Sequence, residues 1–278
     1  FARPLVTSQA ATGSRVVLSS EATTVLKPEV DYCWKVIAGN EFGRTESLAP
    51  PRRFRIDPKL PRLGPNELSE YGEGPGGVLV AAELAGDPKP SYGQLVAAKG
   101  CKAVAGPDGK AGGAVELDGK SAILVYKLRA FPAHEYTVSL WVSHRQQEER
   151  LGQVLSAWCG AMDDPLRLCI DGGKLYARVE AGRGYSTAGV AVQPDRSYHV
   201  AAVKAGGRLT LYVDGKPAGS IEVPVDVHSA ATDFALGGNP HYTGKSEHLA
   251  CRLAGLRFSV QALTAAEIAE ICRKGPSP

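Results

Sequence analysis

Long apolar runs are missing from this sequence: no stretch of about 18 consecutive apolar residues occurs, so no membrane-spanning helix is expected. An excess of one charge is missing too. Lys and Arg number 32 against 29 Asp and Glu, a formal net charge of +3, and no basic run is interleaved with aromatics, so nucleic acid is not expected as a partner. Cysteine is sparse, with six residues at 33, 101, 159, 169, 251 and 272 and no Cys-x-x-Cys spacing. That argues against zinc and against a dense disulfide framework. Cys159 and Cys169 flank an expected strand-loop-strand, "SAWCGAMDDPLRLCI", where a cross-strand disulfide competes with two small apolar side chains.

Reactive motifs are also missing. "GYSTAG" around Ser186 lacks the spacing of a nucleophile elbow, and no glycine-rich loop follows a strand and opens a helix. The chain starts at Phe1 without Met or a charged-then-apolar leader, and reads as an internal piece of a longer protein.

What is abundant is punctuation. The 32 glycines and 19 prolines favour many short strands over long helices. In "RLTLYVDGKPAGSIEV", Asp214-Gly215 supplies two residues that tolerate positive φ in a type I′ turn, with Leu209, Leu211 and Val213 alternating before it. Similar segments recur from residue 78 onward: "GVLVAAEL", "YTVSLWVSH", "GQVLSAW", "LRLCID", "GKLYARVE", "SYHVAAVKA" and "CRLAGLRFSV" among others. One helix is predicted at the end, where Thr264 and Glu267 form a capping box and Gly275 is a stop.

Three segments follow from this reading. Residues 78–278 form an all-β sandwich or jelly roll with one short C-terminal helix. Residues 59–77 lie in the Pro- and Gly-rich stretch "DPKLPRLGPNELSEYGEGPGG", a linker that packs along the next domain. In residues 1–58, alternation from Tyr32 to Gly39 predicts one half-buried strand, and Asn40 to Gly43 a turn. Leu26-x-Pro28-x-x-x-Tyr32 and Trp34-x-Val36 resemble the corner and following strand of fibronectin type III domains, with their tyrosine corner. Only the later strands of such a domain fit, so residues 1–58 are expected to be a partial fibronectin type III-like β-sandwich.

The segments "GKAGGAVELDG", "EYTVSLWVS", "SYHVAAVKAGGRLTLYVDGKPAGS", "FALGGNP" and "LAGLRFSVQALTAAEIAEI" are similar, in order, to the laminin-G-like, concanavalin A-like jelly roll of many bacterial extracellular proteins. The resemblance implies the fold and leaves function open, because lectins, adhesins, enzyme-attached modules and some hydrolases share it. The E-x-D-x-x-E strand of its laminarinase-like hydrolases is missing; Glu116 and Asp118 in "VELDG" read as strand and turn instead. Calcium is the family's usual cofactor. Where relatives carry an Asp-Glu pair this chain has Ala254 and Gly255, so no cofactor is expected, with Asp163-Asp164 and the Glu83/Asp87 neighbourhood as the remaining oxygen clusters.

Sugar binding needs an aromatic face rimmed by groups that satisfy hydroxyls. The candidates are Trp141, Tyr176 and Arg178, placed on one sheet face, with Asp163, Asp164, Asn239, His241 and Tyr242 on the rim. His199 reads as structural. The expected function is a non-catalytic binding module for a glycan or polysaccharide in a secreted or cell-surface bacterial protein. The alternatives are a structural or adhesive module with a protein partner, and a jelly-roll glycoside hydrolase.

Overall fold

The computed structural model describes residues 5–6, 25–35, 37–40, 43–46, 51–57, 70–145, 151–241 and 247–276. The chain divides into two compact units, Phe1–Leu63 and Gly64–Pro278.

The first unit holds four short strands: β1 (Asp31–Trp34), β2 (Ile37–Asn40), β3 (Gly43–Glu46) and β4 (Arg52–Arg55). The single strand predicted over Tyr32–Gly39 is broken after Trp34. β1 pairs with β4 and β2 with β3, in separate two-stranded sheets. Tyr32 stacks on Phe54 with ring centroids 5.4 Å apart. Its hydroxyl accepts from the Lys27 amide at 2.6 Å, a backbone group five residues upstream. Trp34, Ile37 and Phe54 are exposed.

The second unit is the sandwich. In chain order its strands are β5 (Val78–Ala82), β6 (Gln94–Lys99), β7 (Lys102–Val104), β8 (Ala114–Asp118), β9 (Ile123–Lys127), β10 (Glu135–His144), β11 (Gly152–Ser156), β12 (Asp163–Asp171), β13 (Lys174–Ala181), β14 (Gly184–Ser186), β15 (Val190–Ala191), β16 (Tyr198–Ala205), β17 (Arg208–Val213), β18 (Lys216–Glu222), β19 (Asp233–Leu236) and β20 (Ala250–Ser259). Helix α1 (Ala265–Lys274) follows. Sheet I has the order β18-β17-β16-β10-β20-β8-β7, with β5 also on β20; sheet II runs β14-β13-β12-β11-β19-β9-β6, with β15 beside β13. All described pairings are antiparallel, the arrangement for which period-2 alternation buries one face.

The core lies between the sheets. Val138, Leu140 and Val142 of β10 meet Leu155, Leu168 and Phe234 from sheet II in one cluster, and Tyr136, Phe131 and Phe258 pack edge to face or tilted. The buried Tyr136 hydroxyl donates to the Pro165 carbonyl at 2.8 Å, so its polar atom is satisfied. The end of the expected linker belongs to this unit: Tyr71 packs on the core, and the Gly72 carbonyl accepts from the Tyr92 hydroxyl at 2.9 Å.

The Asp214-Gly215 turn has φ of 49° and 77° at its central residues, as a type I′ turn requires. Asp214 also accepts from the His199 amide at 3.0 Å, fixing the turn against β16. Asp214→Asn keeps an acceptor and tolerates positive φ. Its expected effect on stability is about 0.5 kcal/mol or less, checked by urea denaturation; a larger loss would show that the carboxylate charge itself holds the turn.

Helix α1 carries the predicted capping box, with the Thr264 amide donating to Glu267 Oε2 at 2.7 Å and the Glu267 amide to Thr264 Oγ1 at 3.3 Å. Ile268 packs on Ala201, Val203 and Tyr212, covering part of the outer face of sheet I. The six cysteines are free thiols, so of the two readings of Cys159 and Cys169 the structure takes the small apolar side chains and not the cross-strand disulfide. Ser156 ends β11 opposite Arg167, and Gln153 is the residue opposite Cys169. Cys159 therefore lies beyond the strand, bonded to the Asp163 carbonyl at 3.5 Å.

Candidate functional site

The outer face of sheet II gathers polar side chains because two adjacent strands are bulged. The register of β11 slips between Gln153 and Leu155, which leaves Val154 and Leu155 in the core and turns Gln153 and Ser156 outward. In β12 the slip lies between Asp164 and Arg167, so Leu166 enters the core while Asp164 and Arg167 face out. Each bulge inserts one residue and re-aims the side chains around it.

The floor of this face is buried. Gln153, Ser156 and Asp164 are all fully buried. Arg167 Nε donates to Asp164 Oδ2 at 3.0 Å, and Arg167 Nη2 lies 3.6 Å from Glu180 Oε1. The Ser156 hydroxyl lies 3.2 Å from both Asp164 Oδ2 and Asn239 Oδ1. Gln153 Nε2 donates to Glu247 Oε2 at 2.5 Å. Among the described residues, Asp164 Oδ1 and Gln153 Oε1 meet no donor. Burial pushes the Asp164 carboxyl up to about 7, against the attraction of Arg167 and with the help of Glu180.

Next to the floor lies a half-exposed ridge on β13. Arg178 donates to Asp171 Oδ2 at 3.2 Å and to Ser186 Oγ at 3.3 Å, and its guanidinium sits 4.4 Å from the Tyr176 ring centroid. The Tyr176 ring also crowds Gly189, where a Cβ would come within 2.4 Å of it. Tyr176 is thus engaged by Arg178 and by the chain at Gly189, and is not an open stacking platform.

The remaining candidates separate. Trp141 lies on the outer face of sheet I, between His199 of β16 and Ala254 of β20, which corrects its expected grouping with Tyr176 and Arg178. The segment Ala105–Pro107 and residues Ser143, Asp195, Ser197 and Arg252 join it around a small pocket of about 50 Å³. The Trp141 indole N–H is buried and meets no acceptor among the described residues. His199, 5.5 Å away ring to ring, is held neutral because burial lowers its pKa to about 4.

Asp163 and Asp164 are not a loop pair. They open β12, and Asp163 turns to the 229–230 segment, accepting from the Ala230 amide at 3.0 Å, while Asp164 joins the floor. Asp87 accepts from the Lys89 amide at 2.9 Å and so closes a turn. Asp118 does the same with the amides of 120, 121 and 122, which hold its carboxyl far below the usual range. Among the described residues no three His, Cys, Asp or Glu side chains converge as metal ligands. Asn239 reaches the floor, His241 bonds Asp233 at 2.8 Å, and Tyr242 lies outside the described residues.

Arg167, Glu180, Gln153, Ser156 and Glu247 escaped the sequence reading. Arg167 and Glu180 alone had a signal, the polar residue every second position in "LRLCID" and "LYARVE".

Comparison with solved structures gives the same sandwich at low identity. The binding domain of botulinum neurotoxin serotype D superposes with a TM-score of 0.58 at 9% identity, over 71% of this chain and 51% of that one. The binding domain of Paraclostridial Mosquitocidal Protein 1 gives 0.57 at 13% identity, over 71% and 52%. That of botulinum neurotoxin DC in complex with SialylT gives 0.56 at 8% identity, over 72% and 52%. The chain spans about half the length of these structures, and at such identities the likeness establishes fold alone. No curated protein matches it in sequence. Residues 117–269, more than half of the chain, match the Laminin_G_3 family, and the protein belongs to the concanavalin A-like lectin/glucanases superfamily.

Proposed function

We propose that this chain is a non-catalytic, carbohydrate-binding module of a larger bacterial protein that works outside the cell, secreted or at the surface. The observation that carries the reading is the outer face of sheet II, where Arg167, Arg178, Glu180 and Asp171 are half-buried and held by one another on rigid strands. Fixed polar groups on strands bind without paying to be ordered at the moment of contact. The solved neighbours supply analogy: they are binding domains of toxins, and one of them is in complex with SialylT. Residues 1–58 are proposed as the partial fibronectin type III-like attachment module, on the strength of the Tyr32 hydroxyl reaching back to Lys27.

The test is a glycan array probed with the full chain, with and without EDTA. Glycan retention is expected in both conditions, since Ala254 and Gly255 stand where relatives carry the acidic pair. Arg178→Ala removes a charged donor, and its expected cost is about 1.5–3 kcal/mol, roughly tenfold or more in affinity. Retention of a protein and no glycan would favour the adhesive reading instead.

One observation favours the hydrolase alternative. Asp164 and Glu180 are cross-strand neighbours, and the carboxyl of Asp164 is raised to about 7, as a general acid needs. Against it, Asp164 is fully enclosed and bound to Arg167, out of reach of a substrate. Release of reducing ends from polysaccharides, abolished by Glu180→Gln, would reverse this judgement.

A further inference from the structure

In the floor of the outer face of sheet II, the fully buried acceptors Asp164 Oδ1 and Gln153 Oε1 go without a donor among the described residues. The floor therefore draws in what donors there are. Arg167 turns its Nε to Asp164 at 3.0 Å and reaches Glu180 only at 3.6 Å. Gln153 spends its amide on Glu247, and Ser156 has one proton for two acceptors. Arg178, the other cation, is committed to Asp171. The shortage passes outward to Glu180, whose side chain is 28% exposed and poorly served. Among the described residues, the carboxylates of Asp171, Glu180 and Glu247 stand against two guanidiniums, a formal excess of one negative charge while Asp164 holds its proton and of two once it ionises.

We infer that the ligand of this face is a neutral saccharide that donates hydroxyl protons, and that the face rejects glycans bearing carboxylates. The inference rests on the carbohydrate reading given above and narrows its ligand class. A sugar hydroxyl brings a donor to a surface that lacks donors and accepts in return from Arg167 or Arg178. A carboxylate brings acceptors alone, and placing like charges together across an interface costs several kcal/mol.

The experiment pits neutral oligosaccharides against their sialylated and uronate-containing counterparts, immobilised on one array and probed with the full chain. The expected result is retention of neutral glycans with a preference of about tenfold or more. Glu180→Gln keeps the side-chain shape and removes one negative charge. It is expected to narrow the preference several-fold; Glu247→Gln, which removes a charge and keeps an acceptor for the Gln153 amide, is the second variant and is expected to do the same. Acidic glycans held as well as or better than neutral ones would overturn the inference and leave the carbohydrate reading standing. A preference unchanged in both folded variants would place the discrimination elsewhere and overturn it too. If no glycan of either class is retained, the carbohydrate reading falls and this inference falls with it.

Discussion

Lys204→Met is expected to destabilise the sandwich by about 3–5 kcal/mol, the scale of three charge-assisted hydrogen bonds lost together. Lys204 is fully buried at the end of β16. Its ammonium donates to the carbonyls of His134 at 2.8 Å, Gly206 at 2.9 Å and Val225 at 2.6 Å, so its three protons are all used. These carbonyls belong to three separate segments: the lead-in to β10, the β16–β17 turn and the chain after β18. Met fills the volume of the stem and removes three part-buried, charge-assisted hydrogen bonds, each worth on the order of 1.5 kcal/mol. Burial lowers the lysine's pKa to about 8, while Asp226 and Glu135 oppose the shift. The loss should appear in a thermal melt as a fall of roughly 10 °C. A fall of one or two degrees would show that water replaces the ammonium at no cost, and that the three carbonyls are not held together by it.

Lys204 also marks where reading the sequence stops. In "SYHVAAVKA" the alternation correctly makes a strand, and nothing in it separates a buried lysine from a solvated one. The turn at Asp214-Gly215 and the helix cap at Thr264 were legible because both are local chemistry, complete within four residues. Alternation likewise told which side of its own strand Trp141 or Tyr176 occupies. It carries no information on which sheet receives the strand, and β10 and β13 went to different ones. The floor of sheet II was hidden for a second reason. A bulge shifts the parity by one residue, so Leu155 and Leu166 enter the core, and Ser156 and Arg167 face outward, against the period that precedes them. Only the pairings of β11 with β12 and of β12 with β13 reveal it.

The last expected result concerns pH and the carboxyl of Asp164. In the folded chain burial raises it to about 7, from an unfolded value of 3.8. Between these values the native state holds a proton that the unfolded state has released, so stability falls as pH rises from about 4 to 7 and is level above. Below the unfolded value the contribution is fully present. At 1.36 kcal/mol per unit, the loss is on the order of 4 kcal/mol at most. Arg167 and Ser156 favour the charged form, and Glu180 opposes it. Asp164→Asn removes the titration and keeps the side-chain shape and an acceptor for Arg167. The variant is therefore expected to gain on the wild type as pH rises, with most of the difference won between pH 4 and 7, in urea denaturation at matched ionic strength. A difference that stays constant across that window would show that Asp164 is ionised throughout. The Arg167 guanidinium would then outweigh burial, and the floor of the site would be a closed ion pair.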